Sequence, residues 1–379
     1  MCGLNLHPHY LCPPVLSVVQ KQHLHRTTGT ETKILAAGDA LYIIPDMNTT
    51  TGRNEERVLR WGIIGCGDVT EVKSGPAYQQ TEGFELVAVA RRNGAKAKDF
   101  AQRHNVPKYY TDCAQLIADD DIDAVYIATP PDSHLEYALQ VAAAGKPCCI
   151  EKPMAPNFTD CQTITAAFAA KNLPLFVAYY RRALPRFTKI KQWLDEERIG
   201  EIRHVSWQYS SPASALDLSG KPNWRTDAKI APGGYFDDIG CHGLDLIQFF
   251  AGDFKEASGF SVNQQGLYSA KDAITGCWTH ESGATGSGSW NFGSPSKKRD
   301  RMEILAAKGS IELTVFDDSP IRIAVDGVSE EITFESPKHI QLPHVQAMRD
   351  DLFGVKPYSA TGSSAARVGW VMDKILGKI

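Results

Sequence analysis

The chain has 379 residues, of which 43% are hydrophobic, and a chain of this length usually divides into two domains with a core each. Its 40 basic and 44 acidic residues give a net charge of -4, which gives no reason to expect nucleic acid or a membrane as a partner, and no apolar run approaches the roughly 18 residues that span a bilayer. The nine cysteines are scattered without CxxC spacing, so the sequence predicts neither a metal site nor a disulfide framework but a reduced, cytoplasmic protein.

The first 57 residues show no sustained hydrophobic period and hold four of the 11 histidines. Their apolar stretch 11–19 contains two prolines and follows no basic segment, so it is a poor signal peptide. We expect residues 1–57 to form a disordered extension. The alternative is that the native chain begins at Met47.

The next 120 residues or so alternate between short apolar runs and helical patterns, which is typical of a doubly wound parallel sheet. The predicted helix 132–144 has apolar residues at helical spacing, Asp132 as N-cap and Gly145 at its end. We therefore expect an α/β dinucleotide-binding domain of the Rossmann type over residues 58–180. Its predicted strands cover residues 58–64, 84–90, 124–128, 148–150 and 175–178.

After Tyr180 the pattern changes to an α+β type, and we expect a second domain over residues 181–379 with a large, mostly antiparallel sheet. Asp326-Gly327 is a predicted turn between two strands. The predicted elements are a helix over 185–197, an alternating strand over 202–209, glycine-rich and polar strands between 257 and 334, and helices over 342–353 and 363–376.

A glycine turn, Gly65-Cys66-Gly67, directly follows the first strand. Glycines there let backbone N–H groups and a helix N-terminus approach a pyrophosphate. The third glycine position of the usual fingerprint is Thr70, so the motif is incomplete. Its place in the strand rhythm favours a dinucleotide site; the alternative is an ordinary strand–helix turn.

Two basic residues, Arg91 and Arg92, end the second strand, and no carboxylate is present there. A carboxylate at this point would bind the adenosine ribose of NAD, whereas a guanidinium can bind the 2′-phosphate of NADP. The sequence therefore favours NADP over NAD. The alternative is a pair of solvated surface arginines.

The candidate catalytic groups are Lys152, which ends an apolar strand, and the pair Asp238 and His242. Partial burial near a cationic nicotinamide would lower the pKa of Lys152 and suit it to proton transfer; the alternative is a surface lysine paired with Glu151. If the 238–242 segment is helical, Asp238 and His242 share a face and the carboxylate can orient the imidazole. The alternative is a packed core histidine.

Two further acids lie near this pair. Asp245 would share the same face, and we expect a mainly structural role for it. Asp237 is a less suitable substitute for Asp238.

Several motifs in combination resemble one family, the Gfo/Idh/MocA oxidoreductases. Beside Gly65-x-Gly67, they are the segments 127–134 (IATPPDSH), 144–147 (AGKP), 151–153 (EKP) and Trp224-Arg225 ahead of Gly233-Gly234 and the Asp-x-x-x-His pair. The resemblance extends from Val58 to the end of the chain. It implies a Rossmann domain joined to an α/β domain with a large antiparallel sheet, NAD(P)-dependent chemistry on sugars, polyols and related alcohols, and dimers or tetramers formed through that sheet.

The resemblance also implies roles for individual residues. Lys152 would contact the reacting hydroxyl, His242 would be the acid/base and Asp238 its partner, with Tyr179 and Trp224 among the substrate contacts. The pocket would further include Tyr180, Arg181, Trp207 and His344. The cofactor would be bound by Gly65, Gly67, Asp68, Val69, Arg91, Arg92, Thr129, Pro130, His134, Glu151, Lys152 and Arg225.

The sequence thus predicts an NADP-preferring dehydrogenase or reductase of a carbohydrate-like alcohol or carbonyl, in which His242 accepts the hydroxyl proton with help from Asp238 and Lys152. Two alternatives keep the fold. One is a glycosidase that uses a tightly held NAD for transient oxidation of its sugar, and the other is a nucleotide-sensing regulator, which has no need of a proton relay.

Overall fold

The structure of the protein is a computed structural model that describes residues 34–37, 40–43, 58–295 and 297–379. The chain divides into two units, Met1–Glu55 and Glu56–Ile379. In the first unit, strands β1 (Ile34–Ala37) and β2 (Ala40–Ile43) form an antiparallel pair. Two predictions concern this part of the chain: a disordered extension over residues 1–57 and a native start at Met47. Apart from β1 and β2, both lie outside the described residues.

A parallel sheet of six strands begins the larger unit, which confirms the doubly wound fold class. Its strands are β3 (Leu59–Ile64), β4 (Phe84–Ala90), β5 (Lys108–Tyr110), β6 (Ala124–Ile127), β7 (Cys148–Ile150) and β8 (Leu175–Val177). They lie in the spatial order β5-β4-β3-β6-β7-β8. The sequence analysis missed β5, because its three residues Lys-Tyr-Tyr form neither an apolar run nor an alternating one.

Five helices of this unit connect the six strands: α1 (Gly75–Gln80), α2 (Gly94–Arg103), α3 (Cys113–Ala118), α4 (His134–Ala143) and α5 (Phe158–Ala169). The predicted start of α4 was wrong by two residues. A 3-10 turn, Pro131–Ser133, precedes the helix, and Asp132 lies inside that turn and is not an N-cap. The proline at the first position of this turn fixes φ near the helical value and has no N–H that would lack a partner there. Gly145 ends the helix as predicted, with φ +75°.

The second sheet has eight strands, and all its neighbours are antiparallel except β9 and β12. Its strands are β9 (Ile202–Ser210), β10 (Phe254–Val262), β11 (Ala273–His280), β12 (Thr285–Asn291), β13 (Arg299–Ala306), β14 (Gly309–Leu313), β15 (Ile321–Val325) and β16 (Val328–Ile332). They lie in the order β10-β11-β12-β9-β13-β14-β15-β16. The predicted turn is confirmed: Asp326 and Gly327, with φ of +49° and +84°, join β15 to β16.

Helices cover one face of this sheet and then return to the first one. They are α6 (Pro185–Asp195), α7 (Ala215–Leu218), α8 (Cys241–Ala251), α9 (Leu342–Leu352) and α10 (Gly362–Leu376). Val345 and Met348 of α9 are buried in an apolar cluster with Trp61 of β3 in the first sheet and Tyr78 of α1. The chain after residue 340 therefore packs on both sheets, with α9 against the first and α10 against β10 of the second. The predicted domain boundary at Tyr180 stays a prediction. None of the described helices is both long and apolar enough to cross a membrane.

Glycines in β12 make room for tryptophan rings on the covered face of the sheet. A methyl group added at Gly286 would overlap the ring of Trp278, and one added at Gly288 would overlap Trp290. Both rings are almost completely buried. The glycine-rich character of this strand therefore reflects the packing of large side chains in its core.

We expect Gly286→Ala to lower the free energy of unfolding by about 1–3 kcal/mol, because an extra methyl in a close-packed core displaces its neighbours. Urea denaturation measures the change. Ser289→Ala, at an exposed position of the same strand, is the matched control and should stay within about 0.5 kcal/mol of the wild type. Equal stability of the two variants would show that Trp278 moves aside freely.

Candidate active site

The glycine turn lies in the crevice where the strand order reverses, between the carboxyl ends of β3 and β6. Gly65 has φ +94°, and a Cβ at this position would lie 2.8 Å from the carbonyl oxygen of Ala128 after β6. Only glycine fits both constraints. Within the turn, the N–H of Gly67 donates to the carbonyl of Gly65 at 2.8 Å.

Thr70 closes the turn by its own hydrogen bonds. Its N–H and its hydroxyl both donate to the carbonyl of Gly67, at 3.0 and 2.7 Å, and the residue is completely buried. A π-helical segment, Thr70–Ser74, then leads into α1. The missing third glycine is therefore replaced by a threonine that stabilises the same turn.

These features fit a dinucleotide. No atom outside the turn comes within 4 Å of a Cβ built on Gly67, so the backbone there is open to a close ligand. The exposed Asp68 and the half-buried Val69 follow it at the mouth of the crevice. Gly65, Gly67, Asp68 and Val69 thus stand where a pyrophosphate would be held.

The two arginines after β4 differ in their surroundings. Arg91 is half-buried, and its Nη1 donates to the carbonyl of Cys66 in the glycine turn at 2.8 Å. Arg92 is exposed and lines a surface pocket of about 360 Å³ with Thr111, Glu136 and Tyr137. Arg91 is therefore held against the turn, whereas Arg92 lies at the rim of an adjacent pocket.

Three charged groups meet at the end of β7. Lys152 Nζ lies 2.5 Å from one carboxylate oxygen of Asp238 and 3.1 Å from its backbone carbonyl. Arg225 Nε lies 2.6 Å from the other carboxylate oxygen. The side chains of Lys152 and Asp238 are only 14% and 16% exposed, so one carboxylate is shared by two cations in a largely buried place.

The charges of this cluster set its protonation. Burial favours the neutral form of Asp238, but Lys152 and Arg225 outweigh burial and hold its pKa well below the usual range. Burial by itself would lower the pKa of Lys152, but Asp238 outweighs it and raises that pKa. The sequence predicted a lowered pKa for Lys152, and this was wrong. The ion pair with Asp238 favours the charged ammonium and raises the pKa.

His242, at the second position of α8, lies among aromatic rings. The ring centroids of Tyr179, Tyr180 and Phe316 are 6.3, 5.4 and 5.8 Å away, each nearly perpendicular to the imidazole. Burial, followed by the charges of Lys152 and Arg181 and a smaller effect of Lys73, holds the pKa of His242 well below its ordinary value.

The expected pairing of Asp238 with His242 was wrong. Residues Phe236–Gly240 form a π-helical turn ahead of α8, and the wider turn removes the simple i, i+4 alignment of an α-helix. Both oxygens of Asp238 are bonded to Lys152 and Arg225 instead. His242 Nδ1 is buried and has no hydrogen-bond partner among the described residues.

The two neighbouring acids also have partners. Asp245 is completely buried in an ion pair with Arg182, at 2.7 Å. Asp237 accepts a hydrogen bond from the N–H of Gly233 at 2.9 Å, and burial raises its pKa to about 6. Neither contacts Lys152 through a described hydrogen bond.

Residues expected near the nicotinamide form a support for the site. His134 is completely buried, and its ring nitrogens lie 2.8 Å from the carbonyl of Thr129 and 3.1 Å from that of Pro153. It therefore joins the loops after β6 and β7 and does not present a free nitrogen to a ligand. Thr129 and Pro130 lie in the first of these loops, and Thr129 Oγ1 accepts from Ser133.

Glu151 is bonded internally as well. Its carboxylate accepts from the hydroxyl of Tyr126 at 2.6 Å, from Gln341 at 2.9 Å and from the N–H of Lys152 at 3.1 Å. These three hydrogen bonds hold the loop after β7 to β6 and to the segment before α9. The expected contact of Glu151 with the cofactor stays a prediction.

The expected pocket residues separate into two groups. Trp224 and Tyr179 line a cavity together with Pro153 and the segment after it. Trp207 and His344 are buried in the core, where Trp207 packs against Gly243 and His344 bonds the hydroxyl of Tyr358. Neither side chain lines this cavity, and both are almost completely buried.

The sequence analysis missed Phe316 and Lys298. Phe316 contacts His242, and Lys298 Nζ lies 5.7 Å from the ring centroids of both Phe316 and Tyr209. Both residues lie in loops next to β13 or β14 with no motif, so no pattern indicated them. Across the described ranges, no three His, Cys, Asp or Glu side chains are grouped to hold a metal ion.

Comparison with known proteins adds two family matches. A model described as "Oxidoreductase family, NAD-binding Rossmann fold" matches residues 59–179, and one described as "GFO/IDH/MocA C-terminal domain" matches residues 187–312. Oxidoreductase P35 of Formosa agariphila is 38% identical over 323 residues, which cover 85% of this chain and 99% of that protein. D-apiose dehydrogenase of Paraburkholderia graminis is 26% identical, with 74% and 72% covered.

The trans-1,2-dihydrobenzene-1,2-diol dehydrogenase of Xenopus laevis is 27% identical, with 73% of this chain and 81% of that protein covered. Among solved structures, levoglucosan dehydrogenase in complex with NADH superposes with a TM-score of 0.76 at 21% identity, covering 84% of this chain and 95% of the other. At that identity the likeness shows the fold.

The shared carboxylate gives a pH-dependent prediction. Because the pKa of Asp238 is lowered in the folded chain, its ion pairs stabilise the protein above about pH 4, the ordinary value for aspartate, and lose this contribution as the pH falls further. Asp238→Asn should therefore be less stable than the wild type between about pH 5 and 8, and the difference should shrink on acidification. Urea denaturation at pH values from about 8 down to about 3 measures the difference.

Asp99→Asn, which changes an exposed carboxylate on α2, is the control and should show only a small difference at every pH. A gap between Asp238→Asn and the wild type that does not change below pH 4 would contradict the charge pairing.

Proposed function

The chain belongs to the Gfo/Idh/MocA family of oxidoreductases, and we propose that it is an NADP-preferring dehydrogenase or reductase of a carbohydrate-like alcohol or carbonyl. It is an oxidoreductase of the sugar and diol dehydrogenase type with an NAD-binding fold. The finer proposal rests on one observation: Lys152, with its shared carboxylate, and His242 lie together at the carboxyl edge of the sheet that carries the glycine turn.

The charge of Lys73, in the segment after the glycine turn, is among those that lower the pKa of His242. In the proposed arrangement, the turn and the proton-transfer groups border one cleft. When bound, the nicotinamide would exchange a hydride with the substrate carbon that carries the reacting oxygen.

The residues of this chain would then have separate tasks. Gly65, Gly67 and their neighbours Asp68 and Val69 would hold the pyrophosphate, and Arg91 and Arg92 the 2′-phosphate. Lys152 and His242 would contact the reacting oxygen, and the hydroxyl proton would be exchanged at this pair of side chains. Asp238 and Arg225 would fix the position of Lys152, and Tyr179 and Trp224 would contact the rest of the substrate.

The proposal includes a cytoplasmic homodimer or homotetramer formed through the second sheet. Helices cover one face of that sheet, and at its β10 edge Phe260 is 80% exposed and Val262 47%. Exposed apolar side chains on an otherwise polar sheet face are what a second copy of the chain would cover.

Cofactor preference is the first test. Fluorescence titration with NADPH and NADH, after a check for cofactor that copurifies, should show tighter binding of NADPH. Replacing both arginines, Arg91→Ala/Arg92→Ala, should weaken NADPH binding by about tenfold or more and leave NADH nearly unchanged, because a charge-assisted phosphate contact contributes about 1.5–3 kcal/mol.

Lys98→Ala, on the exposed side of α2, removes a nearby cation and should leave the preference unchanged. NADH binding equal to or tighter than NADPH binding would reduce the arginines to surface residues. Bound NAD that does not exchange would favour the glycosidase alternative.

Catalysis is the second test. Lys152→Ala and His242→Ala should each lose about 10²–10⁴-fold in turnover, since this is the usual contribution of a positioned acid/base, yet bind NADPH like the wild type. The measurement is absorbance at 340 nm with a panel of diols, D-apiose and levoglucosan. Wild-type rates in both variants on a substrate that turns over would contradict the assignment.

A further inference from the structure

The two nitrogens of His242 are not equivalent. Nδ1 is completely enclosed and has no hydrogen-bond partner among the described residues. Only Nε2 is left to contact a substrate. In a neutral imidazole one nitrogen carries the proton and the other a lone pair, so the state of Nδ1 decides what Nε2 can do.

A base at Nε2 would need its proton on Nδ1. That proton would be a buried donor without an acceptor, which costs about 1–3 kcal/mol. Catalytic histidines that accept protons usually have Nδ1–H bonded to a carboxylate or carbonyl, and His242 has no such bond. The opposite tautomer, with a lone pair on Nδ1 and the proton on Nε2, places no N–H in the enclosed position.

The charges around the ring also favour the neutral form of the imidazole. Lys152 after β7, Arg181 before α6 and Lys73 after the glycine turn all disfavour a positive imidazole. The nearest acids on its own segment are already paired, Asp238 with Lys152 and Arg225, and Asp245 with Arg182. An imidazolium at this position would therefore lack a free counter-ion.

Packing holds the ring where a hydrogen bond would ordinarily do so. Phe316 packs nearly perpendicular to the imidazole, at 80° and 5.8 Å between centroids. Its backbone N–H donates to the carboxylate of Asp300 at 2.7 Å, and so does the N–H of Val315 at 2.9 Å. Arg181 bonds the carbonyl of Val315 at 2.5 Å.

Arg186 completes the attachment of this loop, residues 314–319. Its guanidinium, itself almost completely buried, donates to the carbonyls of Asp317 and of Ser319, the latter at 3.1 Å. Three charged side chains from three elements thus fix a loop whose aromatic residue points at the imidazole. A loop that merely closed a hairpin would not require them.

We propose that His242 acts as a neutral hydrogen-bond donor through Nε2–H to the reacting oxygen, and that Phe316 is the positioning residue that holds it in this role. The proposal rests on the proposed function and deepens it. In the direction of reduction, the carbonyl carbon would receive the hydride of the reduced nicotinamide while the Lys152 ammonium gives one proton to the oxygen and becomes an amine. His242 would have the same number of protons before and after.

Nitrogen-15 NMR of histidine-labelled full-length protein tests the tautomer directly, without a substrate. The signals of His242 are assigned by their loss in His242→Gln, in the free protein and with NADPH added. We expect a protonated Nε2 and an unprotonated Nδ1 that do not change between about pH 6 and 9, whereas an ordinary histidine titrates near 6.5. A protonated Nδ1, or a titration within this range, would overturn the proposal.

Phe316→Leu tests the positioning role by the same signals. Loss of the ring should let the imidazole reorient, so the His242 signals should shift and begin to titrate, while NADPH affinity stays at the wild-type value and reports an intact fold. Val355→Ala, at an exposed position after α9, is the control and should leave the signals unchanged. His242 signals that remain unchanged in Phe316→Leu would show that Phe316 does not hold the ring.

Because neither measurement needs turnover, their failure is distinct from failure of the proposed function. A protein that shows the expected tautomer but binds neither NADPH nor NADH would contradict the dehydrogenase assignment alone. A protein that oxidises a sugar with His242 titrating near neutral pH would contradict the donor role alone.

Discussion

The geometry of the site depends on the carboxylate of Asp238, which Lys152 and Arg225 bind from two sides. Lys152 lies in the loop after β7 of the first sheet, and Asp238 and Arg225 belong to segments between strands of the second. The pair therefore connects the two sheets at the cleft. Buried ion pairs contribute little net stability, because desolvation offsets their attraction. The clearer consequence of this one is the fixed position of Lys152 Nζ.

The two ion pairs of Asp238 affect the protonation of His242. With both carboxylate oxygens bound to cations, no acid is left to receive a proton from Nδ1. The ring is held by Tyr179, Tyr180 and Phe316 instead. Edge-to-face contacts of this kind orient a ring without supplying or accepting a full charge. Packing and electrostatics therefore agree on a neutral imidazole.

The loops that carry these groups are connected to one another beneath the site. His134 joins the loop after β6 to the loop after β7, and Glu151 joins β6 to Lys152 and to Gln341 ahead of α9. Each was expected to touch the cofactor, and each is instead bonded to protein groups. Buried polar side chains with every partner satisfied make a rigid support, which a site needs if a proton and a hydride are to move over short distances.

Much of the fold follows from local pattern. Apolar runs placed β4 and β7 at the right residues, and Asp326-Gly327 marked a hairpin, because period and turn chemistry are properties of neighbouring residues. The strand β5 was missed, since three polar or aromatic residues carry no period. The start of α4 was misplaced because two consecutive prolines change the local turn.

The sequence by itself determined which chemical groups are available: a glycine turn, a pair of arginines, and Lys152, Asp238 and His242. Their partners were decided only by the tertiary structure. In the π-helical turn, Asp238 contacts Lys152 and Arg225. Phe316 contacts His242 from a loop that is bonded to Arg181, Arg186 and Asp300. The physical reason is that hydrogen bonds and ring contacts depend on distances of a few ångströms between residues that lie 13 to 134 positions apart in the chain, and no local pattern encodes such distances.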